Sequence, residues 1–177
     1  MTRESDPHDV IYNLIGEATV AWNGIEHGWM LVFQALLGAP ESRAKAAYLA
    51  VTNSSTQRDM IAALAKIIFL DGSTMSNKIG TLLEKTGKKS GWRNSFSHGF
   101  YGVDVYKVAE HDGLQISPLK VIDGMPRNRL IDKDLEAELR KLIPEFNTLA
   151  TDVFGLYQEI PSLDATPPSP GTPPQPP

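Results

Sequence analysis

Cysteine is absent from the 177 residues. That excludes a disulfide scaffold, a thiolate zinc site and thiol catalysis, and it fits a reducing compartment, here expected to be the cytoplasm. Positive charge is not in excess either. Seventeen basic residues against 21 acidic ones give a formal charge of −4, so the chain is not a nucleic-acid binder working by bulk charge. No stretch approaches 18 uncharged apolar residues, so no membrane span is expected. The start, Met1 to Asp9, is acidic and polar and predicts no secretory signal. Histidine is sparse: His8, His27, His98 and His111 form no His-x-x-x-His pair, and neither a metal site nor a cofactor is expected. What remains is 41% apolar content, enough for one domain burying about 70% of its unfolded surface.

The apolar residues recur mostly at helical period. Ile11, Leu14, Ile15, Ala18, Trp22, Ile25, Trp29, Phe33 and Leu36 draw one stripe on a long first helix, which Gly38-Ala39-Pro40 ends. A short second segment places Ala44, Ala47, Tyr48 and Val51 on one side. Thr52-Asn53-Ser54-Ser55 offers N-caps for a third helix with Ile61, Leu64, Ala65 and Ile68 inward. A fourth starts between Ser73 and Ser76 and turns Ile79, Leu82, Leu83, Thr86, Trp92 and Phe96 to the core. Val103, Val105 and Val108 precede His111-Asp112-Gly113, with Leu114 and Ile116 after it. Asp-Gly between β-favouring runs predicts a small hairpin over 103–119, with strands 103–110 and 114–119. Asp132 is the expected cap of a last helix carrying Leu135, Leu139, Leu142, Ile143, Phe146, Leu149, Val153, Leu156 and Ile160. Pro144 should kink or split that helix. The expected architecture is an all-α bundle with a β-hairpin inserted before the C-terminal helix. A polar tail covers 1–8, the helical domain 9–160, and a disordered tail 161–177, where 8 of 17 residues are proline.

Most chemical-looking fragments fail. Thr86-Gly87-Lys88-Lys89-Ser90 resembles the end of a P-loop, but Leu82 stands where a glycine is required and Lys89 where Ser or Thr is. Glu26 and His27 read as a polar pair at the core edge, and Trp22 and Trp29 as packing residues. One segment stands apart: Trp92-Arg93-Asn94-Ser95-Phe96-Ser97-His98-Gly99. Chance places an Arg five before a His about 0.16 times in such a chain, and Arg3 with His8 is one such copy; requiring Asn second lowers this to about 0.006. On a helix Asn94 and His98 share a face, and Arg93 lies about 100° round from Asn94. From Lys85 to Val103 the chain carries Lys85, Lys88, Lys89 and Arg93 and no acid, a net +4, while the rest carries −8. A polyanion is drawn to that end, so the three lysines are candidate substrate-binding residues.

Arg93-Asn94-Ser95-Phe96-Ser97-His98-Gly99 resembles the R-N-x-x-x-H signature of the HEPN superfamily, helical domains many of which are metal-independent endoribonucleases. The order of elements over roughly residues 9–100 is also similar. The resemblance implies Arg93 and His98 as the catalytic pair and Asn94 as the residue that supports them. It further implies a homodimer with two motifs facing one cleft, RNA as substrate, a toxin-antitoxin or defence role, and an antitoxin or regulatory protein as partner.

The residue types suit that chemistry. The ribose 2′-OH attacks the adjacent phosphate once a base takes its proton, and an imidazole of pKa about 6.5 serves as base or acid near neutrality. Arg93 stays protonated and offers a donor fork to the phosphate as its charge grows. The product is a 2′,3′-cyclic phosphate, no metal is needed, and DNA is excluded. Two bland alternatives stand beside this. Arg93 pairs with Glu26 or Glu84 while His98 caps a helix, or the chain is a non-catalytic module that binds protein, RNA or nucleotide.

Overall fold

The computed structural model describes residues 7–97, 100–102, 120–123 and 134–161. Five helices make the body: α1 Pro7–Leu37, α2 Glu41–Ala50, α3 Ser54–Phe69, α4 Thr74–Ser97 and α5 Leu135–Glu159. Helix α1 is the hub. It lies along α5 and also touches α2, α3 and α4. The apolar stripe explains this, because every member from Ile11 to Leu36 is buried except the half-buried Ile15. The α5 stripe answers it, fully buried from Leu135 to Ile160 except at Ile143. Among the described residues no helix is long and apolar enough to cross a membrane.

The helix ends follow local chemistry. Asn53 caps α3, its side chain accepting from the backbone N–H of Ser55 at 2.8 Å and of Thr56 at 3.3 Å. Gly38 takes φ +59° directly after α1, the left-handed turn that lets the chain reverse into α2. The cap of α5 is Asp134, which accepts from Ala137 N–H at 3.1 Å, two residues past the expected Asp132. The expected break at Pro144 does not occur as a split: α5 runs on as one 25-residue helix. Pro144 is exposed, so the backbone acceptor it leaves without an N–H partner faces water. The apolar face meanwhile stays locked on α1.

The hairpin expected over 103–119 is a correction. It is not seen, and its strands 103–110 and 114–119 lie outside the described residues, as do 1–6 and all but Pro161 of the tail. The β structure among the described residues is one short antiparallel ladder, β1 Phe100–Gly102 with β2 Lys120–Asp123, broken by an irregular register between Phe100 and Tyr101. Asp112-Gly113 signals a turn, but a turn signal fixes no ladder. A two-stranded pairing with no third strand has little independent stability. The architecture is a helical bundle.

Two contacts fix how the helices meet. Gly28 of α1 faces α5 so closely that a Cβ would stand 2.9 Å from Val153 Cγ1, and at Gly24 it would meet Ala150 Cβ at 3.6 Å. Trp29 Nε1–H donates to Thr86 Oγ1 of α4 at 2.9 Å, and that hydroxyl donates to Leu82 O at 2.9 Å, all in the interior.

Gly28→Ala should therefore lower stability by about 1–2 kcal/mol, the overpacking cost outweighing a helix-propensity gain near 1 kcal/mol. Gly16, also in α1 with nothing within 4 Å of its would-be Cβ, is the control: Gly16→Ala should gain up to about 1 kcal/mol. Denaturant melts of both variants read the opposite signs. Thr86→Val, nearly isosteric, orphans the buried indole N–H and should cost about 1–3 kcal/mol in the same assay.

Candidate functional site

Helices α1 to α4 enclose an open cleft of about 560 Å³. One face of α4 supplies Ser90, Arg93 and Asn94, spaced three and four residues apart as helical geometry requires. The α1 wall supplies Trp22, Glu26, His27 and Met30; α2 supplies Lys45, Tyr48 and Leu49. The entrance to α3 completes it with Gln57, whose amide donates to Tyr48 O at 3.1 Å and Val51 O at 2.7 Å and so closes the end of α2.

Arg93 is half-buried, and its Nη1 donates to Asn94 Oδ1 at 3.2 Å. Among the described residues no carboxylate makes an ion pair with it. Of the two acids expected as its partners, Glu84 and Glu26, neither makes that ion pair. Glu84 takes Lys88 at 2.6 Å, and the hydrogen bond from that ammonium, with its charge, holds the Glu84 carboxyl below the ordinary carboxylate range. Glu26 accepts the Trp22 indole N–H at 2.6 Å. Among the described residues the guanidinium thus meets the cleft without a carboxylate in ion-pair contact. Its planar donor fork suits an oxyanion. His98 follows Ser97, the last residue of α4, in sequence and lies outside the described residues.

The three lysines expected to bind substrate do not line this cleft. Lys89 is half-buried in an ion pair with Glu145 of α5. Lys88 makes its exposed pair with Glu84 one turn earlier. Lys85 borders a separate groove of about 460 Å³ between α4 and α5, with Lys78, Asp152 and Glu159. Sequence proximity put all four cations in one field, whereas the helix turns Lys85 and Lys89 toward α5 and Arg93 toward α1.

The residues that sequence reasoning passed over are Glu26, His27, Lys45 and Tyr48. Trp22, Glu26 and Met30 recur every four residues on α1, so a charged position in that row was a legible sign of a polar wall. Lys45 carried no such sign, because only tertiary packing brings α2 opposite α4. His27 is exposed with its ring 5.9 Å from that of Phe154. Burial pushes the Tyr48 phenol up to about 12, with Glu26 adding to the rise and Arg58 opposing it. Tyr48 is therefore a neutral hydroxyl at physiological pH and no base. Among the described residues no three His, Cys, Asp or Glu side chains are grouped to hold a metal ion. The arrangement is equipped to bind an anion at Arg93 and Lys45, with hydrogen-bonding groups around it. No family model, curated protein or solved structure matches the chain.

Proposed function

We propose that the chain is a HEPN-like, metal-independent endoribonuclease of a toxin or defence kind, acting in the cytoplasm. The observation that carries the reading is Arg93. It is a half-buried guanidinium beside Asn94 at an open cleft, with no acid in ion-pair contact among the described residues. In the motif Arg93-Asn94-x-x-x-His98 the imidazole takes the 2′-OH proton, and the alkoxide attacks phosphorus. The P–O5′ bond breaks, the leaving oxygen collects a proton, and a 2′,3′-cyclic phosphate remains. Arg93 binds the phosphate oxygens as charge builds on them, and Asn94 orients its neighbours. Two copies joined with their motifs facing supply a second imidazole as the acid, so a homodimer belongs to the proposal. The cleft's other cation, Lys45 of α2, replaces Lys85, Lys88 and Lys89 as the residue that helps hold the strand.

Purified protein incubated with labelled RNA in EDTA should cut it and leave 2′,3′-cyclic phosphate ends. Arg93→Ala and His98→Ala should each lose about 10²- to 10⁴-fold in rate while melting like the parent. Equal cleavage by parent and variants, or none by any across a broad RNA panel, leaves a non-catalytic module. Light scattering at micromolar concentration should give the mass of two chains; a single-chain mass removes the dimer from the mechanism.

A further inference from the structure

The cleft has chemical polarity. Its lining cations are Arg93 on α4 and Lys45 on α2, while Glu26 on the α1 wall is its carboxylate. Glu26 is half-buried and fixed: Oε1 accepts the indole N–H of Trp22 at 2.6 Å. Trp22 is itself buried, 2% exposed, and set edge-on to Phe146 at 5.3 Å between centroids. Among the described residues no cation makes an ion pair with Glu26, and Oε2 accepts no hydrogen bond. A carboxylate held still with lone pairs vacant is matched by a ligand that brings donors. A phosphate is repelled from that wall and attracted to Arg93 and Lys45. The complementary ligand therefore carries both an anion and N–H donors. The lining also offers apolar surface from Met30 and from Leu49, the latter 57% exposed. Its volume falls in the range of roughly 300–1,000 Å³ usual for small-ligand clefts.

Resting on the nuclease reading above, the geometry points to the Glu26 wall as a subsite for a guanine base of the RNA strand. Guanine is the one standard base with two donors side by side on its pairing edge, N1–H and the 2-amino group, and these meet the two oxygens of one carboxylate. Adenine and cytosine set their single amino group beside an acceptor nitrogen, and uracil flanks N3–H with two carbonyls. Each of those three turns lone pairs toward the carboxylate. Cleavage then falls beside guanosine.

Calorimetric titration of the full chain with the four nucleoside 3′-monophosphates tests this without catalysis, since none can be cleaved. Guanosine 3′-monophosphate should bind about ten- to a hundredfold more tightly than the other three. Inosine 3′-monophosphate, which keeps N1–H and lacks the 2-amino group, should bind several-fold more weakly than the guanosine form. Glu26→Gln keeps an acceptor for the Trp22 indole but replaces one oxygen by a donor, so it should abolish the preference. The inosine comparison uses the parent protein, so it holds even if that variant fails to fold. Equal affinities for the four nucleotides, no binding, or a guanine preference that survives in folded Glu26→Gln overturns the subsite. Unselective binding by a protein that still cuts RNA overturns the subsite and leaves the nuclease. Guanine-selective binding without cleavage supports the subsite and overturns the nuclease.

Discussion

Where α1 lies against α5 there is no space for a side chain at Gly28. Gly28 and Gly24 let Val153 and Ala150 come within van der Waals reach of the α1 backbone, and this contact fixes the rotation of α1 about its own axis. Everything on the opposite side of that helix inherits its direction from it. With the glycine row against α5, the row Trp22–Glu26–Met30 lies on the cleft. With Trp29 bonded to Thr86, α4 is seated at one height against α1. The position of Arg93 relative to Glu26 thus follows from packing within a turn of Glu26 on α1 and about two turns before Arg93 on α4.

The helical bundle was legible because amphipathic period survives in single residues. The stripes of α1 and α5 and the Asn53 cap appear where the spacing put them, since burying a continuous apolar face outweighs local preference over twenty or more residues. The same dominance explains why α5 does not split at Pro144. Its local effect is real, yet it sits on the wet side of a helix already held along its length by α1. The hairpin expected over 103–119 rested on less, a single Asp-Gly turn signal between two short β-favouring runs. Bundle topology is set by long, redundant patterns, and the excursion between α4 and α5 has no such pattern.

The site was legible only in part. Arg93 and Asn94 stood out because the motif is contiguous, and contiguous spacing on a helix converts directly into shared position. Lys85, Lys88 and Lys89 stood out for the same reason and lie elsewhere, two of them in ion pairs with Glu84 and Glu145. Linear charge density cannot distinguish cations that brace two helices from one that faces a cavity; the carboxylate beside each one does. Glu26 and Lys45 come from helices remote in sequence, and their role depends on the assembled walls.

Those walls are not equally anchored. Helix α1 buries one face from Ile11 to Leu36, and α4 is braced to α5 by Lys78–Glu159 and Lys89–Glu145. Helix α2, by contrast, buries only Ala44 and Tyr48, the latter tilted against Phe33 at 5.3 Å, and Gln57 pins its end. Lys45 thus stands on a helix seated by two buried side chains, and Arg93 on one seated by seven.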